Sequence, residues 1–341
     1  MSIDARLQQL WYGHFLLNWL ALLLPLSWIF RVLIFLRQRC YRLGLLSSYR
    51  LSKPVIVVGN LTVGGTGKTP IVIWLASMLQ NQGICVGVIT RGYGGQANNW
   101  PQRVRPDSDP LLVGDEAVLI AGRTNAIVVS GPDRVAAGQL AISEGAEVII
   151  SDDGLQHYRL QRDCELVVVD GSRMFGNGHL LPAGPLREPI SRLNRATMVL
   201  LNRRGNTSAI SFVQPTINFQ VVLGAMRSCV THATRPLTDL QGQKVHVVTA
   251  IGHPHAFISA LETLGISVNA HIHPDHAVLT RSDIDFADQL PVLMTEKDAV
   301  KCKHITDSRH WVVASVVEFN DVDQNQLLHC VRQAITRSQV V

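Results

Sequence analysis

From residue 54 to residue 201 the chain alternates short apolar runs with longer mixed stretches. Val55–Val58, Val86–Thr90, Ala126–Val129, Val148–Ser151, Leu166–Val169 and Met198–Leu201 are brief and largely β-branched, which predicts strands. Lys68–Gln82, Glu116–Ala121 and Asp133–Glu144 carry apolar positions at helical spacing between them. The strands are apolar throughout instead of alternating. That pattern predicts burial on both faces, and so a mostly parallel sheet covered by helices. A second α/β section begins near Val245, with a strand Val245–Ala250, a helix His255–Leu264, a strand Val292–Thr295 and a closing helix Gln324–Arg337. Between the two sections, Gln220–Gly242 shows no clear period and reads as an irregular link.

Ahead of the sheet the pattern changes. Trp11–Phe30 contains no Asp, Glu, Lys or Arg, and Val32–Leu36 continues the apolar run after Arg31. Trp11, Trp19 and Trp28 lie in it, as suits a helix at a membrane interface. About 20 residues would just span a bilayer, although Asn18 and Pro25 interrupt a straight span. The alternative is a hairpin buried in the core. The pattern divides the chain into a membrane-associated segment 1–50, a core 51–230 and a smaller C-terminal α/β domain 231–341.

Charge sharpens this division. The net charge is +5, yet residues 1–53 hold seven Lys/Arg against Asp4 alone. The basic excess therefore belongs to the apolar segment, where it would face anionic lipid on the cytoplasmic side. A general nucleic-acid-binding surface is excluded as its explanation, and no nucleic-acid partner is expected. The six cysteines are scattered and form no Cys-x-x-Cys pair, which predicts reduced thiols and no cysteine zinc site.

The strand Val55–Val58 runs into Gly59-Asn-Leu-Thr62-Val63-Gly64-Gly65-Thr66-Gly67-Lys68-Thr69, which has the form of a phosphate-binding P-loop. Thr62 to Thr69 would cradle the phosphates of ATP, because loop amides and a helix N-terminus point at their oxygens. Lys68 would reach the β- and γ-phosphates, and the Thr69 hydroxyl would hold Mg²⁺. Thr62 stands where the motif usually begins with glycine, so its turn must avoid positive φ or carry strain. Asp152 ends an apolar strand and is a second candidate Mg²⁺ ligand. Gln156 and His157 follow at the same sheet edge, where open α/β sheets bind ligands. Asp115 and Glu116 open a helix. They either cap it or serve as a base for a substrate hydroxyl and a Mg²⁺-associated carboxylate. Arg91 and Tyr93 follow the second strand and could contact phosphate or sugar, or form a surface turn. The proline-stiffened run 182–189 could hold Arg187 and Glu188 over a ligand. The cluster His271-Ile-His273-Pro274-Asp275-His276 lacks the helical spacing of zinc motifs. The role of Thr295-Glu296-Lys297-Asp298 is not legible in the sequence.

In order along the chain, these motifs resemble the tetraacyldisaccharide 4′-kinases of lipid A biosynthesis. The resemblance rests on the apolar N-terminus, Val58–Pro70, Arg91–Gly94, Gly114–Glu116, Asp152–His157, Pro182–Pro189, Pro274–His276 and Thr295–Asp298. It implies an α/β fold with a P-loop NTPase-like, mostly parallel sheet, a smaller C-terminal domain and a hinge between them. It implies MgATP as phosphoryl donor and an acylated glucosamine disaccharide lipid as acceptor, at the cytoplasmic face of the bacterial inner membrane, with no protein partner. It implies that Asp115 and His276 work as a pair, with Lys68 and Arg187 supplying positive charge. Arg91, Tyr93, Asp153, Gln156, His157 and Glu188 are its candidate substrate contacts. Two other classes share the P-loop: a membrane-associated NTPase that phosphorylates no sugar, and a nucleotide-binding scaffold without chemistry.

Overall fold

A computed structural model describes residues 11–12, 22–203, 212–252, 254–275, 277–302 and 304–339. The first extended element is helix α1 (Leu24–Arg42). Pro25 sits in its first turn, where no backbone donor is needed, and Arg39 and Arg42 sit in the last, where the helix dipole favours cations. The core then runs β1 (Val55–Gly59), α2 (Lys68–Gln80), β2 (Val86–Thr90), β3 (Gln102–Val104), α3 (Asp115–Arg123), β4 (Ile127–Ser130), α4 (Arg134–Ser143), β5 (Val148–Asp152), β6 (Cys164–Asp170) and β7 (Met198–Asn202). The remainder is β8 (Thr216–Ser228), β9 (Thr234–Arg235), β10 (Lys244–Thr249), α5 (Pro254–Thr263), β11 (Ser267–Ile272), β12 (Val292–Thr295), α6 (Glu296–Cys302), β13 (His310–Glu318) and α7 (Asp321–Gln339).

Among the described residues one continuous sheet has the order β11-β10-β12-β13-β8-β7-β6-β1-β5-β2-β4-β3, with β9 beside β8. From β7 to β4 every pairing is parallel, and antiparallel β3 closes that edge. The apolar strands are two-faced, as their composition requires. Along β1, Ile56 and Val58 join the cluster containing Ile71, Leu75 and Leu79 of α2, while Val55 and Val57 join the one containing Val135, Ala137 and Ala141 of α4.

The stretch Gln220–Gly242 is not irregular at its start. The 13-residue strand β8 runs to Ser228 and joins the two halves. Its first residues pair parallel with β7 (Asn202 beside Phe219), and the rest pair antiparallel with β13 (Gln220 beside Glu318). Two features hide it in the sequence: a half-buried pattern along most of its length, and Gly224. That glycine is required by packing, since a Cβ there would lie 2.6 Å from Val316. The closing helix α7 returns to the first half, where Leu327, Val331 and Ala334 enter the α2 side of the core.

The parallel arrangement decides where function can sit. The loops after β1, β2, β5, β6 and β7 all leave from carboxyl ends at one sheet edge, with Val58 level with Asp152 and Gly59 level with Val167.

Candidate functional site

The loop after β1 is built by close approach. A Cβ at Gly59 would lie 2.6 Å from that of Leu155, so only glycine fits. Thr62 stays out of the left-handed region and is buried, forming an antiparallel bridge to Leu186. Val63 N donates to Pro185 O (2.8 Å) and Arg187 N to Leu61 O (2.7 Å), so the proline-rich run lies along the loop as a ribbon. Gly67 takes φ 96° and caps α2, which starts at Lys68 with Thr69 and Pro70 in its first turn. Loop carbonyls are held from outside: Asn202 donates to Thr66 O (3.2 Å) and Arg173 to Gly65 O (2.6 Å). The Thr66 hydroxyl is buried without a hydrogen-bond partner among the described residues.

Lys68 connects this loop to the end of β5. Its Nζ donates to Asn60 Oδ1 (3.1 Å) and lies 3.6 Å from Asp153. Arg187 Nη1 donates to both oxygens of Asp153 (3.0 and 2.9 Å). Burial alone would raise the Asp153 pKa, but Lys68 and Arg187 overcome it and hold the carboxyl at about 2. Asp153 also sits at φ 47°, a strained position for a residue with a side chain.

Asp152 behaves oppositely. Burial, and then the nearby charge of Glu116, push its pKa up to about 7. Its Oδ1 is buried with no hydrogen-bond partner among the described residues. Beneath it the buried Arg134 donates to Asp152 O (2.9 Å) and Gly131 O (3.1 Å), fixing the strand end through its backbone.

Helix α3 is capped by Gly114, so Asp115 and Glu116 stand in its first turn and are not its N-cap. Asp115 is buried, accepts from Glu116 N (2.8 Å) and lies 3.8 Å from Lys301. Glu116 lies 3.3 Å from Lys297, which also reaches Asp275 at 4.0 Å. Burial disfavours the Lys297 charge, yet Glu116, Asp115 and Asp275 raise its pKa. At the far end of α3, Arg123 pairs with Glu296. Three ion pairs therefore run between α3 and α6: Arg123–Glu296, Glu116–Lys297 and Asp115–Lys301.

The run Thr295–Asp298 gains a place from this. It turns β12 into α6, with Thr295 Oγ1 donating to Asp298 Oδ2 (2.7 Å) and Asp298 Oδ1 accepting from Ala250 N (3.1 Å). His276 lies outside the described residues. On either side of it, Asp275 is the carboxylate beside Lys297, and Ala277 O accepts from Lys301 (3.4 Å).

The remaining candidates line the same edge. Arg91 and Tyr93 are exposed on a loop docked against the single turn Pro110–Val113 by Gln96 N donating to Leu111 O (2.9 Å). Gln156 donates to Asn60 O (3.1 Å) and Glu188 (3.4 Å). Glu188 is buried among Gln38, Tyr158, Gln156 and Arg192, so it acts as a wall behind Gln156. Burial, then Arg134, lower the His157 pKa to about 4. Gln38 of α1 bonds both Tyr158 and Glu188, and Arg37 donates to Gln156 O (3.3 Å), tying the apolar helix to this wall. The histidine run divides. His271 on β11 meets His246 (2.9 Å), which meets Asp288 (3.0 Å) inside the C-terminal half. Among the described residues no group of three such side chains is arranged to hold a metal.

Arg134, Arg173, Asn60, Asn202, Lys297 and Lys301 escape sequence reasoning. Their signal was position after a strand end or on a helix beside a motif, which many structural residues share.

The sequence matches the family described as tetraacyldisaccharide-1-P 4′-kinase over residues 19–336. It is 47% identical over 328 residues to the tetraacyldisaccharide 4′-kinase of Nitrosococcus oceani, covering 95% of this chain and 94% of that one. It is 46% identical over 309 residues to that of Pasteurella multocida, covering 89% and 92%. In structure it is similar to LpxK of Aquifex aeolicus, solved in complex with ATP, with a TM-score of 0.80, 28% identity and coverage of 93% and 99%.

Proposed function

The chain belongs to the tetraacyldisaccharide 4′-kinase family, and from that premise we propose which of its residues carry the reaction. The protein is an ATP-dependent kinase that phosphorylates the 4′-hydroxyl of the lipid A disaccharide precursor. Phosphoryl transfer needs alignment and charge neutralisation more than covalent chemistry. Thr62–Thr69 cradle the ATP phosphates, and Lys68 and Arg187 neutralise charge that builds on the transferred group. Asp153, bonded by both, sets their positions. Asp115 orients or deprotonates the acceptor hydroxyl. His276 is its partner in the second half of the chain.

The donor set fits Mg²⁺. Asp152 and Glu116 repel one another, and Asp152 Oδ1 is buried without a partner among the described residues, as expected where a dication is the missing neighbour. Thr69, Asp152 and Glu116 would hold it, and when bound it shields the phosphate charge. Arg91, Tyr93, Gln156 and His157 would meet the substrate, with Glu188 fixing Gln156.

The observation that carries this reading is a continuous cluster of charge: Lys68 and Asp153 at the P-loop, Asp152 beside them, Glu116 facing Asp152, and Asp115 next to Glu116. Asp115→Ala, His276→Ala and the double variant test it in lipid-dependent transfer of the γ-phosphate. If the two act as one unit, the double variant is little slower than Asp115→Ala. Multiplying losses would return His276 to a structural role, and full turnover in Asp115→Ala would reject the base assignment. The units 51–230 and 231–341 are proposed to close on the two substrates, with β8 shared between them.

The acceptor is a lipid, and α1 supplies a means of reaching it. No helix among the described residues is long and apolar enough to cross a membrane. From the exposed apolar residues and arginines of α1 we place it on the cytoplasmic leaflet of the inner membrane, its apolar face in the interface and its arginines against anionic headgroups.

A further inference from the structure

The ion pairs between α3 and α6 leave a cavity beside them. Its volume is about 330 Å³, and its walls come from both halves of the chain. Val118, Leu119 and Gly122 of α3, Ala299 and Val300 of α6 and Val312 of β13 supply its apolar lining. The end of β8 and the turn after it supply Arg227, Ser228, Cys229 and His232, of which Arg227 and His232 are exposed and mark its mouth. This volume is at the lower end of small-ligand sites and far larger than one water.

The charge at the mouth is unbalanced. Arg123 and Glu296 also line the cavity, but they neutralise each other. Arg227 forms no ion pair among the described residues; of the nearby carboxylates, Glu296 is paired with Arg123, and Asp307, which acts on Cys229, is held by Arg309 and His310. His232 is held at φ 58°, in the left-handed region that costs a histidine strain. Among the described residues the other polar side chain at positive φ, Asp153, stands at the P-loop. The turn that strains His232 is itself fixed, with Thr231 N donating to the buried Ser228 hydroxyl (3.2 Å).

An apolar lining with an arginine and a polar imidazole at its exposed edge selects a particular kind of molecule. We propose that the cavity between α3, α6 and the end of β8 is a second small-molecule site, taking an anion with an apolar body of about one or two fused rings. Its charged group meets Arg227 and His232, and its body lies along Val118, Leu119, Ala299 and Val300. The site is separate from the P-loop. Because α3 and α6 carry Asp115, Glu116, Lys297 and Lys301, an occupant touches the same two helices that join the halves of the enzyme.

Gly122 offers a direct test. A Cβ built on it meets nothing within 4 Å, so Gly122→Leu adds bulk at the exposed edge of the cavity without a clash while improving helix propensity. Arg227→Glu reverses charge at an exposed position. The probe is 1-naphthyl phosphate, titrated by fluorescence into the full chain with the nucleotide site saturated by Mg²⁺ and a non-hydrolysable ATP analogue. Uncharged 1-naphthol is the control for non-specific partition into apolar surface. Saturable binding is expected in the parent protein, at least tenfold weaker in each variant and at least tenfold weaker for the naphthol. Absence of saturable binding, or equal binding by parent and both variants, would overturn the proposal. A circular-dichroism melt of each variant confirms that lost binding is not lost folding.

Discussion

Lys68 and His157 show two uses of burial at one sheet edge. Lys68 is held between Asn60 and Asp153 at the mouth of the P-loop, where phosphates would lie. Lys68→Ala is expected to cost about 3 kcal/mol or more of transition-state stabilisation, a loss in kcat on the order of 100-fold. Single-turnover transfer measures it, and near-normal turnover would reject the P-loop assignment. His157 is different: burial and Arg134 hold it neutral down to about pH 4. The unfolded chain takes up that proton near pH 6.5. Above 6.5 neither state is protonated, so stability is unaffected. Between about 6.5 and 4 only the unfolded chain binds the proton, so stability falls with pH. His157→Asn should remove part of the fall in Tm from pH 7 to pH 5, with less gain at pH 7; parallel Tm curves would contradict it. At this scale the sequence was informative wherever a motif fixes a backbone, as at Gly59, Gly67 and Gly114. It was silent on Arg134 and Arg173, because an arginine that holds a carbonyl looks like any other arginine until the chain is folded.

Helices α3 and α6 make the case at the scale of elements. The sequence places Asp115 and Glu116 at a helix start and leaves capping open; Gly114 as the N-cap resolves the local question. The three ion pairs could not be read, since they join residues more than 170 positions apart. The strands legible in advance were the fully apolar ones, whose composition alone reports burial on two faces. Strand β8 was missed because it pairs parallel with β7 at its start and antiparallel with β13 along the rest of the same sheet, so no single period describes it. Glu296 is the firmest point of the helix contact, since it pairs with Arg123 and also accepts from Ser315 N (3.0 Å). Glu296→Gln keeps the shape but leaves Arg123 partly buried without its counter-charge. A loss of about 1–3 kcal/mol is expected, or several degrees in Tm. ATP affinity should stay within twofold, because the P-loop is untouched, while kcat falls as α3 loses its support. Thermal melts and ATP titration check both parts; a variant with weaker ATP binding and unchanged kcat would contradict the assignment of this contact to catalysis.

Among the described residues a long apolar surface lies on α1. Ser27 turns inward, donating to Leu180 O (2.8 Å) and accepting from Ala183 N (3.0 Å), and Phe30 packs on the core. Outward stand Leu26, Trp28, Ile29, Val32, Leu33, Phe35 and Leu36, each more than half exposed. A surface of this size marks an interaction site, and Arg31, Arg37, Arg39 and Arg42 along the same helix favour an anionic one. The sequence predicted association from composition, but the geometry changes how to test it. Deleting residues 1–36 would also remove Ser27 and Phe30 and disturb the run that braces the P-loop. Trp28→Glu with Leu33→Glu alters only outward side chains. Burying one such side chain contributes up to about 1.5–3 kcal/mol, and half-insertion of two gives about the same, 1.5–3 kcal/mol. Flotation with vesicles containing anionic phospholipid should therefore show binding weakened by roughly 10- to 150-fold. ATP binding in solution should be unchanged, and transfer to a detergent-dispersed disaccharide lipid should fall less than transfer to the same lipid in vesicles. Equal flotation of variant and parent would remove α1 from the membrane and leave its apolar face for another partner.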